Sequence, residues 1–370
     1  MNGTENMSIP TVRPTSRVAP TELECYLDSL HESRSRAARV QPITIHHLQM
    51  AGLTFCLRMS GPALEPAVLP ALAHLSTATP HPKTEMPVIT FDLWDTVATG
   101  ILPPRPPFVP SDYCRYGQRA VIHDGPISIM HAPTVPMLFA YNRETRHGLF
   151  WTEDATALSI YERAAPLQTL FHWSLAEFGW QIVHAAAVGT ETGGVLLIGN
   201  SGAGKSTTAL SCLTTENSLR LLSDDKCLTR LDPGPQAFAA FSSGKIKADM
   251  LERLPQFKDR LQGWDDHYKA GKGLVYLYPD YAARLIGSFA IKALVIPRVT
   301  CQNQASIYPV SPGNAFLVLG PSTVIWLPGA ESDNYRFTAD LVRRIPCYQL
   351  DLARNSERNT DAILNLLAQL

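Results

Sequence analysis

The first twenty residues are rich in Pro, Ser, Thr and Asn and show no apolar period, which predicts a flexible tail. From Pro20 onward, Leu23, Leu27 and Leu30 fall on one helical stripe, and Thr21 and Glu24 have the spacing of a capping box. A short helix is expected there, with residues 35–41 as a link. Between 42 and 150 the pattern changes to short β-type runs at 43–48, 53–59 and 88–93. Further runs at 119–122, 137–141 and 148–151 are set off by proline-rich breaks at 103–110 and 132–136. This stretch reads as a small, mostly β domain without a catalytic motif.

A helical period returns at 162–179, where Leu167, Leu170, Phe171, Leu175 and Phe178 share a face. Pro166 sits early in that helix and Gly179 at its C-cap. Two apolar runs, 181–188 and 194–198, are joined by five residues, so an antiparallel hairpin is expected. A helix at 205–213, a strand at 219–222 and a mobile-looking stretch at 254–272 follow. Strands at 274–277 and 291–296 and a helix at 359–369 complete the chain. The division expected is a tail and short helix over 1–41, a β domain over 42–155 and an α/β (α+β) domain over 156–370.

Composition narrows the setting. Lys and Arg number 32 against 33 Asp and Glu, a net charge of −1, so no global field draws the chain to nucleic acid or an anionic membrane. The seven cysteines form no CxxC pair and show no zinc spacing. No apolar run reaches the length of a membrane span, and no signal peptide is visible. The expectation is a soluble, cytoplasmic protein, acting without a membrane or nucleic-acid partner.

The strongest chemical signal lies at 199–206, which reads Gly199, Asn200, Ser201, Gly202, Ala203, Gly204, Lys205, Ser206, with Thr207 next. This is G-x-x-x-x-G-K-[ST] in full, the phosphate-binding P-loop. Glycines let the backbone turn tightly so that several N–H groups aim at phosphate oxygens. The helix that follows adds its N-terminal dipole. Lys205 supplies a charge for the β- and γ-phosphates, and the Ser206 hydroxyl suits Mg²⁺. A chance match is expected in roughly one chain in a hundred at ordinary glycine content. The preceding apolar run and the following helix lower that further. ATP with Mg²⁺ is the expected ligand pair.

Two features flank the loop. His184 sits in Val-His-Ala-Ala-Ala-Val, and Asp224-Asp225 follows the apolar run 219–222. An acidic residue at a strand end beside a P-loop suits a Mg²⁺ ligand or a base for an attacking hydroxyl. Nineteen positions separate Lys205 from Asp224, room for one helix and one return strand. With the hairpin before the loop, that spacing argues against a Rossmann-like NTPase.

In order and spacing, His184 to Val188, the P-loop and Ser223-Asp224-Asp225 resemble the catalytic domain of HPr kinase/phosphorylase, a fold related to phosphoenolpyruvate carboxykinase. The chain is most similar to HPr-kinase-like proteins of bacterial peptide clusters, some of which phosphorylate lasso-peptide precursors. The segments 162–167, 241–247, 293–297 and 348–351 share in the likeness, which is specific over about 160–300. Ala51-Gly52-Leu53 and Leu93-Trp94-Asp95 carry only a suggestion of it.

The resemblance implies a P-loop domain with a mixed sheet. It implies that Asp224 accepts the acceptor's proton with His184 beside it, and that Asp225 and Ser206 hold Mg²⁺. Lys245 or Lys247 is implied to neutralise charge on the transferred group. Homo-oligomers occur in the family. The glycine-rich signature by which true HPr kinases bind their protein substrate is absent after the Asp pair. HPr itself and phosphorylase activity are therefore not carried over.

The function expected is a kinase acting on a Ser or Thr hydroxyl of a peptide or protein. A small-molecule alcohol kinase, a non-catalytic nucleotide sensor and an ordinary P-loop ATPase are the alternatives. Asp265-Asp266-His267 reads as a polar loop, Trp173 and Phe178 as core, and Arg298 as a candidate to meet substrate.

Overall fold

The computed structural model describes residues 20–78, 87–113, 119–265, 271–300, 302–326 and 331–370. The expected flexible tail, Asp266 and His267 lie outside these. The chain is a mixed α+β protein with three sheets among the described residues. No helix of those residues is long and apolar enough to cross a membrane.

The first sheet has eight strands in the order Ser76–Thr77, Ile43–Met50, Leu53–Ser60, Val88–Asp95, His147–Thr152, Met137–Asn142, Ile127–Ala132 and Ala120–Asp124. Alternation sorts its side chains onto two faces. Phe55, Leu57, Met59, Phe91 and Leu93 point into a core that also takes in Leu170, Phe171, Leu228 and Phe241. That core runs from the first sheet into Ile182, Leu228, Ala240 and Phe241, while the residues flanking the P-loop belong to separate clusters. On the other face, Trp94, Leu149 and Trp151 lie beneath the helix Pro20–Val40.

That helix is longer than expected. It runs for 21 residues, through the segment read as a link. Ser33 and Ala37 extend the buried stripe begun by Leu23, Leu27 and Leu30, so the apolar period continues in small residues that a hydrophobic count overlooks. The helix is also tied down by charge. Asp92, 1% exposed, accepts from Arg58 Nε at 2.8 Å, meets His147 Nε2 at 2.6 Å and pairs with Arg34 of the helix. Burial raises the Asp92 pKa. The bonds to His147 and Arg58 and the charge of Arg34 outweigh it and hold the carboxyl below its ordinary value.

The second sheet is also mixed. Arg220–Ser223, Ala186–Thr190, Gly193–Leu197 and Ser288–Val299 lie side by side. Ser288–Val299 then pairs with Gln236–Ala239 through its first half and with Cys347–Leu352 through its second. Cys227–Arg230 and Gln181–Val183 extend the sheet beyond Gln236–Ala239. The third sheet is small, in the order Ser243–Lys247, Lys272–Tyr276, Trp264–Asp265.

Two continuous elements expected from pattern are broken. The run at 162–179 forms two helices, Ile160–Ala164 and Gln168–Ala176. Pro166 supplies no N–H, and Leu167 takes a left-handed backbone at φ +56°, so the chain turns between them. The run at 181–188 splits at His184-Ala185 into Gln181–Val183, paired with Cys227–Arg230, and Ala186–Thr190, paired with Gly193–Leu197. The stretch at 254–272 holds a 3₁₀ turn, Pro255–Arg260, with Phe257 fully buried.

Two C-terminal helices complete the described chain. Pro312–Trp326 lacks a polar face and contains Pro321, whereas Glu331–Arg344 is amphipathic, with Asn334, Thr338, Leu341 and Val342 on its buried stripe.

Replacing Asp92 by Ala leaves Arg34 and Arg58 without their buried partner. Urea unfolding is expected to show a loss of about 3 kcal/mol, the scale for breaking a buried ion pair. A loss below about 1 kcal/mol, the scale of an exposed pair, would contradict the role given to this cluster.

Candidate functional site

The strand Gly193–Leu197 has unlike neighbours. It is antiparallel to Ala186–Thr190 and parallel to Ser288–Val299. The hairpin expected before the loop is therefore present, and the surroundings are not the all-parallel ones of a Rossmann-like NTPase. After Ile198, whose N–H bonds to Val295 O at 2.9 Å, the chain enters the loop.

Gly202 and Gly204 take φ of +88° and +100°, a region open to glycine and strained for other residues. Gly204 is also crowded, since a Cβ there would fall 2.4 Å from Leu352 Cδ1. The helix Lys205–Ser211 follows directly. Lys205 is buried, and its ammonium curls back over the loop to donate to Gly199 O at 2.5 Å and Asn200 O at 3.3 Å. Burial lowers its pKa against the opposing pull of Asp225 and Asp224.

Register places the acids. Arg220–Ser223 runs antiparallel to Ala186–Thr190 with Ser223 opposite Ala187. The chain leaving Ser223 therefore arrives beside the break at His184. His184 Nε2 meets Asp225 Oδ1 at 3.0 Å, and the His184 N–H donates to Thr323 Oγ1 at 3.2 Å. The third sheet delivers Lys245, which contacts both acids. Its backbone N–H donates to Asp224 Oδ2 at 2.9 Å and its ammonium to Asp225 Oδ2 at 2.7 Å. The Ser206 side chain lies close enough to Asp224 to lower its pKa. That proximity sets the P-loop against the acid pair.

The two carboxylates differ in character. Asp224 is 2% exposed, and its Oδ1 has no partner among the described residues. Burial, and then the charge of Asp225, raise its pKa. Asp225 is also pushed up by burial, but Lys245, Lys226 and His184 prevail and hold it well below the usual range. Burial lowers the His184 pKa, with Asp225 opposing. A small cavity opens onto the pair, lined by Ala164, Ala165, Phe241, Ser243 and Lys245 as well as the two acids.

The structure thus brings together Lys205, Ser206, His184, Asp224, Asp225 and Lys245. The histidine contact falls on Asp225, whereas the resemblance implied Asp224. Lys247 makes no ion pair among the described residues. Arg298 is held by Asp351 through bonds of 2.7 and 2.6 Å, and Val299, next in its strand, approaches the loop at Gly204. Trp173 is buried as core, with Phe178 packed against it.

Lys226 was missed, although it directly follows the acid pair. It is buried, 4.0 Å from Asp225, and burial pulls its pKa down to about 8. Lys272 was missed because it lies far along the chain, near the acids only through strand pairing. No group of three or more His, Cys, Asp or Glu among the described residues forms a metal cluster. A hydroxyl and two carboxylates, one with a buried oxygen lacking a partner, nevertheless make the oxygen-only donor set that suits Mg²⁺, which takes few protein ligands besides phosphate and water. Compared with protein-family models and with curated proteins, the chain matches none.

Gly204→Ala is expected to lower stability by about 1–3 kcal/mol, because it adds left-handed strain to a clash with Leu352. Chemical denaturation reads this directly, and unchanged stability would contradict the loop geometry.

Proposed function

We propose that the protein is a Mg·ATP-dependent kinase of the HPr-kinase-like, phosphoenolpyruvate-carboxykinase-related type, acting on a Ser or Thr hydroxyl of a peptide or protein. The observation that carries this reading is the grip of Lys245 on two adjacent acids beside the P-loop, its backbone N–H on buried Asp224 and its ammonium on Asp225. Nucleotide binding alone explains a P-loop. It does not explain a buried and a half-buried acid, a histidine and a lysine gathered next to the loop's Mg²⁺-type serine.

The residues divide the work by chemistry. Backbone N–H groups of 199–206 and the Lys205 ammonium bind the β- and γ-phosphates, Lys205 exchanging two carbonyl partners for phosphate oxygens. Asp224 Oδ1 accepts the hydroxyl proton as the acceptor oxygen bonds to the γ-phosphorus. The bond from that phosphorus to the bridging oxygen breaks, and ADP leaves with its electron pair. A carboxylate with a raised pKa is the better base at neutral pH. Asp225 stays ionised between Lys245 and His184. Mg²⁺, held by Ser206 and Asp225, supplies charge stabilisation to the phosphates when bound.

A second division has one observation in its favour. The Ser206 side chain acts on Asp224, which suits Asp224 as metal ligand and Asp225 as base. Mg²⁺ titrations of ATP binding separate the two, because only the variant lacking the metal ligand loses its Mg²⁺ dependence.

Incubation with γ-labelled ATP and seryl peptides is expected to give labelled peptide. Asp224→Asn is expected to lower transfer by roughly 10²- to 10⁴-fold while ATP affinity stays within a few-fold. Tight ATP binding with no transfer to peptides or small alcohols would contradict catalysis and favour a nucleotide sensor. Hydrolysis without transfer would favour an ATPase.

A further inference from the structure

The third sheet places more positive charge beside the acids than the phosphoryl-transfer chemistry uses. Lys245 and Lys247 lie two apart on Ser243–Lys247 and share a face, and Lys272 is the cross-strand partner of Lys247. Ile246, between the two lysines, points the other way into the core. Tyr161 forms a wall along the lysine face, with Lys245 Nζ 5.5 Å and Lys272 Nζ 5.9 Å from its ring centre.

Among the described residues, only one of the three charges is paired with an acid. Lys245 is bound to Asp225 at 2.7 Å. Lys247 and Lys272 make no ion pair among the described residues. Asp265 flanks Lys272 from the next strand. Lys272 Nζ shares the Tyr161 ring with Lys245 Nζ, which is bound to Asp225, so the Lys272 ammonium lies on the side of the site. Like charges directly opposite one another destabilise a strand pair. Here two half-buried lysines are opposite one another. Lys205 already serves the phosphates, and Lys226 lies buried behind Asp225.

Resting on the kinase reading above, we propose that Lys247 and Lys272, walled by Tyr161, form an anion subsite that holds a carboxylate of the acceptor next to its reacting hydroxyl. The acceptor class is then an acidic seryl or threonyl peptide. A lysine pair suits this role because each ammonium is a mobile point charge with three donors, able to follow carboxylates at more than one position. The same two charges could instead take a nucleotide phosphate, and the experiment separates these sources.

The probes are fluorescein-labelled Gly-Glu-Ser-Glu-Gly and its counterpart Gly-Gln-Ser-Gln-Gly, titrated into the full chain with Mg·ADP present. The acidic peptide is expected to bind about tenfold more tightly, with the preference falling as salt rises. In the double variant Lys247→Gln/Lys272→Gln the preference is expected to vanish, while ATP and ADP affinities stay within about twofold of the parent. Equal binding of both peptides by the parent protein overturns the proposal. So does a double variant that keeps the preference. Selective loss of ATP over ADP affinity also overturns it, by assigning the subsite to the γ-phosphate. Binding needs no turnover, so a preference for the acidic peptide without phosphate transfer supports the anion subsite and counts against the kinase reading alone.

Discussion

Two carboxylates packed side by side at the end of a strand, Asp224 buried and Asp225 half-buried, repel each other and lose hydration, and the site depends on how that is offset. The structure uses unlike means for each. Asp225 receives full charges, from Lys245 and from His184 when protonated, and stays ionised. Asp224 receives a neutral donor, the Lys245 backbone N–H, has the Ser206 side chain close by, and keeps one oxygen without a partner among the described residues. Adjacent acids with proton affinities pushed apart suit one to remain charged and the other to accept a proton.

The surrounding fold follows from that requirement. His184 reaches Asp225 because the strand carrying it breaks between two sheet neighbours. Lys245 reaches both acids because a separate small sheet packs its strand against them. The P-loop reaches Asp224 because Gly204 turns the helix start tightly against Leu352. The first sheet shares its core with Ile182, two residues before His184, with Leu228, three after Asp225, and with Phe241, four before Lys245. Its own buried acid, Asp92, is handled differently. Two arginines and a histidine surround it, and it fastens a helix to a sheet.

Local chemistry was legible in the sequence, and chemistry assembled by pairing was not. The P-loop, His184 and the acid pair announce themselves because each is a short motif with fixed spacing. The hairpin before the loop could be read from five connecting residues. The helix from Pro20 was recognised but cut short, since its later turns bury Ser33 and Ala37 rather than large apolar residues. Pro166 was read as tolerated in an early turn, and it separates two helices. Lys272 and Tyr161 are placed by strand register and by a helix packed across it, neither of which leaves a mark in local spacing. Pro312–Trp326 lacks a polar face and so offers no period to detect.

The most direct measurement is a crystal structure with Mg²⁺ and a non-hydrolysable ATP analogue. The account predicts the triphosphate cradled by residues 199–206, with its γ-phosphorus facing Asp224 and the metal on Ser206 and one of the two acids. An analogue bound in the loop with its γ-phosphate turned away from the acid pair would contradict it.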